Sequence, residues 1–197
     1  MTTTRTENYR FEDEFFKKVR ESDVWKKLSS SEDLNWTKSL IDKYVDQWNW
    51  EDLSNNRNIP WTVSLLEKYK ELIHWNHLTS TIFYCYSKRF RNNGIDTRSN
   101  EVFTELLRKF SEYWDWKFIS RYAELNFTPE LIESFANKWD WKELINNDEI
   151  KWNYPLFERF RLYMPLLDFE NLKGSRLWES LVEVDFKIMK GRILSGQ

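Results

Sequence analysis

His74 and His77 are the only two histidines of the chain, and they stand three residues apart. On a helix that spacing puts both on one face, where a third ligand would complete a metal site. Cys85 is the single cysteine, which with a histidine would make a nucleophile. Each has a plainer reading. His74 shares a repeated column with Asn49, Asp115 and Asp140, and His77 shares one with Asp52 and Glu143. Both are therefore polar variants of repeat positions. Cys85 lies in the run Phe83-Tyr84-Cys85-Tyr86 and reads as a buried, inert thiol. Asp46, Glu51, Asp52, Glu67 and Glu71 recur at helix positions expected to face solvent. No nucleophile-elbow, zinc-protease, phosphate-loop or dinucleotide motif is present. The expectation is a non-enzymatic protein with no cofactor and no bound metal.

Binding chemistry is concentrated elsewhere. Lys88, Arg89, Phe90, Arg91 and Arg98 stand against only Asp96 and Glu101 in one stretch, which also holds Gly94. Read for function, this basic stretch with its aromatic residue contacts an acidic protein face or a phosphate backbone. Read plainly, it is a solvated excursion. Trp178 is the other candidate, because it is the one tryptophan that the repeat described next does not explain.

The elements that position these residues follow from composition and spacing. The 197 residues suit one domain or one continuous array. Thirty Lys and Arg balance 32 Asp and Glu, so overall charge gives no reason to expect nucleic acid or an anionic membrane. Four Gly and four Pro argue against a β-sandwich. The 12 tryptophans are far above ordinary usage. Trp25, Trp50 and Trp75 are spaced by 25, as are Trp116 and Trp141. A second series, Trp36, Trp61, Tyr86, Phe127 and Trp152, follows each by eleven, and a third, Trp48, Ile73, Trp114 and Trp139, precedes the first by two. Leu28, Leu53, Leu78, Ile119, Leu144 and Leu172 form a further column. Between Trp75 and Trp116 the step is 41, so 16 residues are inserted, around 87–102.

One unit reads as two short helices. Leu65, Leu66, Tyr69 and Ile73 have helical spacing. Thr37, Thr62, Thr128 and Asn153 are the expected N-caps, with Pro129 at a favoured first position. Trp48 and Trp50 cannot share a helix face, so Asn49 between them, like Asp115, Asp140 and Asp168, caps a second, shorter helix. Asn49 with Asp52, and Asp140 with Glu143, have capping-box spacing. The pairs Asn55-Asn56 and Asn146-Asn147 are expected to end these helices in the left-handed conformation usually given to Gly. Trp25, Trp50, Trp75, Trp116 and Trp141 are expected in the core, with the second series half exposed.

The columns over roughly residues 24–172 resemble the short Trp-rich helical repeats of uncharacterised bacterial and giant-virus proteins. That resemblance implies a solenoid and no activity. The expected fold is all-α: a short α-solenoid of about five two-helix repeats with caps that do not repeat. Residues 1–23 form a tail and capping helix in which Phe11, Phe15, Phe16 and Val19 face inward. Residues 24–172 are the array, and 173–197 a cap or partner-binding segment. In that last segment, Leu177, Leu181, Val184 and Ile188 fit a helix, and the alternation Val182, Val184, Phe186, Ile188 fits a strand; the helix is preferred. Such arrays usually hold macromolecules. The expected function is therefore a protein-binding module, an adaptor or an inhibitor or immunity-type protein occluding a partner's site. The alternative is nucleic-acid contact through the basic insertion. No targeting segment and no run able to span a membrane is seen, so a cytoplasmic location without membrane contact is expected. The sequence does not fix the oligomeric state.

Overall fold

In the computed structural model the described residues are 14–86, 100–164 and 169–195. All regular structure among them is helical. The elements are α1 (Glu14–Val19), a π-helical turn (Arg20–Val24), α2 (Trp25–Ser29), α3 (Lys38–Lys43), α4 (Trp50–Asn55), α5 (Val63–Tyr69) and α6 (Trp75–Tyr86). They continue with α7 (Asn100–Lys109), α8 (Trp116–Tyr122), α9 (Pro129–Ser134), α10 (Trp141–Leu144), α11 (Tyr154–Phe160) with a 3-10 turn (Arg161–Tyr163), α12 (Phe169–Leu172) and α13 (Arg176–Ser195). The chain divides into two compact units, Met1–Ile82 and Phe83–Gln197.

Local chemistry sets the helix starts. Thr37, Thr62, Thr128 and Asn153 are extended and accept the N–H of Leu40, Leu65, Leu131 and Leu156 on their side chains. Asn49, Asp115 and Asp140 do the same for α4, α8 and α10. The reciprocal half of the capping box does not form. The Asn49 N–H donates to Ser29 Oγ and the Asp140 N–H to Ser120 Oγ, both at 2.9 Å. The preceding short helix thus supplies an acceptor where Asp52 or Glu143 was expected to reach back. Glu143 instead lies 3.8 Å from Arg121 and 3.9 Å from Lys117.

The helix ends depart further from expectation. No non-glycine described residue has positive φ, and Asn56 sits at φ −78°, ψ 114°. Asn56 is buried and its Nδ2 donates to the carbonyls of Ser29 and Ser31, both at 2.9 Å. In the other unit Asn147 Nδ2 donates to the carbonyls of Ser120 (3.0 Å) and Ala123 (3.2 Å). Each Oδ1 accepts the N–H two residues on, from Asn58 and Glu149. These asparagines close their own loop and tie it to the end of the preceding short helix, which a left-handed cap would not do.

Indole N–H groups do the work that glycine caps do elsewhere. Trp36, Trp50, Trp61, Trp116 and Trp141 each donate from Nε1 to the carbonyl five residues earlier. Trp48 and Trp139 donate seven back, to Ile41 and Ile132. The last carbonyls of a helix lack partners within it; the indoles serve two of these, at Ile41 and Ile132, and otherwise the carbonyls of the turns that follow the helices. The rings also pack on each other: Trp25 meets Trp48 edge-on at 5.1 Å and Trp116 meets Trp139 edge-on at 4.9 Å.

The order of burial reverses the expectation. Trp36, Trp61 and Trp152 of the second series, and Trp48, Trp114 and Trp139 of the third, are buried; of the first series only Trp75 is, while Trp25, Trp50, Trp116 and Trp141 are half-buried. Trp50, Trp116 and Trp141 are each the first residue of a short helix, and their Cβ bonds tilt toward its N-terminus and past its end, so one ring edge stays at the surface; Trp75 holds the same place on the longer α6 and is buried. Leu53, Leu78, Ile119 and Leu144 are buried as the column requires. Val19, expected inward, is exposed. The π-helical turn Arg20–Val24 that follows it changes the phase between α1 and α2, so a stripe read with a single α-helical period does not carry through.

Candidate functional site

Lys88, Arg89, Phe90, Arg91 and Arg98 lie outside the described residues. Trp178 is half-buried in the first turn of α13, which is the helix alternative for this segment and not the strand. Gly174 takes φ +82°, the left-handed turn that lets the chain reverse after α12. Ser175 then caps α13, its Oγ accepting the Trp178 N–H at 3.1 Å and donating to the Leu172 carbonyl at 2.6 Å. The Leu177 N–H donates to the Ile145 carbonyl at 3.0 Å, and the Leu177 side chain is buried. Arg176 spans Asp148 (2.5 Å) and Glu179 (2.8 Å), and these two acceptors raise its pKa. The start of α13 is thereby fixed to its own unit.

Further along, Leu181 and Val184 are half-buried and face the same way as Leu177. Tyr154 on α11 donates its hydroxyl to Asp185 Oδ2 at 2.6 Å, a bond that raises the tyrosine pKa. The opposite face is apolar and exposed: Val182 50%, Phe186 56%, Met189 60% and Ile193 73%. Trp178 continues this line one turn earlier, four residues before Val182. Leu194, at the edge, is 77% exposed. Isolated exposed apolar residues are ordinary, whereas a contiguous row on one helix marks a contact surface. Sequence reasoning found the inward stripe Leu177, Leu181, Val184, although its fourth member, Ile188, is exposed. It missed the outer stripe. The signal was present in the steps of four, four, three and four residues from Trp178 to Ile193.

The polar candidates have structural partners. His77 Nδ1 lies 2.8 Å from the Asn55 amide and its Nε2 lies 3.5 Å from Glu51. His74 uses its backbone N–H on Ser54 Oγ. Among the described residues no group of three His, Cys, Asp or Glu is placed to hold a metal ion. A cleft of about 260 Å³ is bordered by Arg121, Asn147 and Asp148. Those groups are engaged with Glu143, the Ser120 carbonyl and Arg176 respectively. Among the described residues no helix is long and apolar enough to cross a membrane. The chain matches no protein-family model, no curated protein and no solved structure.

Proposed function

We propose that the protein is a non-enzymatic protein-binding module, acting as an adaptor or by occluding a partner's site. One observation carries this reading: the outer face of α13 presents Val182, Phe186, Met189 and Ile193 to solvent while its first turn is pinned by Ser175, Leu177 and Arg176. A helix anchored at its first turn, with an uncovered apolar row, suits recognition by a partner helix or groove. The basic stretch Lys88, Arg89, Arg91 and Arg98 supplies, at sequence level, a second contact of acidic preference.

Cross-linking mass spectrometry in nuclease-treated native lysate tests the reading. The expected result is a protein cross-linked through Lys187 or Lys190 on α13, lost on Phe186→Glu, with a variant lacking residues 88–98 reporting the share of the basic stretch. No cross-linked protein from the treated lysate, together with nucleic acid bound from an untreated one, lost on Arg89→Ala and Arg91→Ala and declining steeply with salt, would overturn it in favour of nucleic-acid contact.

A further inference from the structure

Resting on the reading of the α13 outer face as a protein contact, we infer that its occupant is a second copy of this chain, packed antiparallel through the same face. At 100° per residue, Val182, Phe186, Met189 and Ile193 fall within about 60° of arc. Their steps of four, three and four residues are those of a heptad seam. An antiparallel two-fold pairing sets Val182 opposite Ile193 and Phe186 opposite Met189, two β-branched residues in one layer and a ring against a flexible thioether in the next.

The charges beside the seam choose the partner. Glu183 and Lys190 flank one side, Asp185 and Arg192 the other. In an antiparallel pair each side meets the same side of the other helix. Glu183 then faces Lys190 of the second copy, and Asp185 faces Arg192, each contact occurring twice by symmetry. A parallel pair would match only Asp185 with Lys190. Among pairings of this helix with itself, the antiparallel one matches all four charged groups. Three of the four have contacts within the chain that pairing must share or exchange: Asp185 Oδ2 accepts from Tyr154 at 2.6 Å, Glu183 meets Lys187 at 3.2 Å on the exposed surface, and Lys190 rests 5.8 Å over the Phe186 ring. The seam is about 17 Å long, too short for a standard interface of ~1,200–2,000 Å². Weak association is therefore expected, and the test must reach high concentration.

Sedimentation velocity on the full chain from about 5 to about 500 μM tests this. The expected result is a concentration-dependent monomer–dimer equilibrium. Phe186→Glu, at an exposed position and checked for unchanged circular dichroism, raises Kd at least about tenfold. The variants E183K/D185K and K190E/R192E are each monomeric and combine one to one when mixed. E183K alone weakens the dimer at least about threefold, because an antiparallel seam uses Glu183 and a parallel one does not. A monomer throughout the range, a dimer indifferent to Phe186→Glu, or variants that fail to complement each other would overturn the inference. A monomeric chain whose α13 cross-links to a different protein sinks self-association and leaves the binding-module reading standing; a monomer with no protein cross-link sinks both.

Discussion

Replacing Asn147 by Gly separates two accounts of how the short helices end. A left-handed cap predicts that Gly is neutral or stabilising there. The structure predicts the opposite. Asn147 is 1% exposed and its amide serves the Ser120 and Ala123 carbonyls. Each buried carbonyl left without a donor costs about 1–3 kcal/mol, and glycine adds about 0.5–1 kcal/mol of backbone entropy. The N–H of exposed Glu149 turns to water and contributes little. The sum, discounted for water reaching the end of α8, is about 2–4 kcal/mol. At about 2–4 °C per kcal/mol for a chain of this size, the melting midpoint drops by about 5–15 °C. The neighbour Asn146 is the control. Its side chain makes a hydrogen bond to the Lys142 carbonyl in an exposed setting, so Asn146→Gly costs about 1 kcal/mol or less. Urea and thermal unfolding followed by circular dichroism and tryptophan fluorescence would decide. Equal midpoints for the two variants, or a more stable Asn147→Gly, would refute the role assigned to that amide.

Other consequences are as direct. Ser120→Ala removes the acceptor of the Asp140 N–H and the donor to the Trp116 carbonyl; a loss of about 1–2 kcal/mol is expected, read as a lower urea midpoint. Gly191 lies inside α13 with nothing within 4 Å of an added Cβ, so Gly191→Ala should stabilise that helix by about 0.5–1 kcal/mol, seen as slower amide exchange over residues 186–193. Asp42 accepts from Lys68 at 2.8 Å and from the Tyr69 hydroxyl, which lower its pKa below the ordinary 3.8. A carboxyl lowered in the folded state stabilises above its unfolded pKa and loses that contribution as pH falls through the folded one. Asp42→Asn should flatten the stability profile below about pH 4; an unchanged acid limb would contradict it.

What could be read from sequence was what depends on near neighbours. Thr62 caps a helix because Leu65 is three residues away, and the change of helix between Trp48 and Trp50 follows from their facing different ways. The all-helical class followed from those local rules. Long-range partners were not legible. Asn56 has the composition of a turn residue, and its role appears only when the Ser29 carbonyl, 27 residues earlier, is brought to its amide. The capping box failed for the same reason, since Ser29 and Ser120 are 20 residues from the N–H groups they accept. The tryptophan columns told that rings are buried together and not which ring edge reaches the surface. On α13 two apolar stripes interleave, and the inward one by itself satisfies the helical period, so Phe186, Met189 and Ile193 do not stand out as a second face.

The indole caps give this protein a set of built-in reporters. An indole N–H held by a carbonyl exchanges with solvent only when that bond opens. Trp48 and Trp50 watch the end of α3 and the turn after it, Trp116 the turn after α7, and Trp139 and Trp141 the end of α9 and the turn after it. Indole resonances are few and well separated from backbone amides. One exchange experiment on the side chains would therefore return the fraying free energy of three helix ends in parallel, and show which opens first.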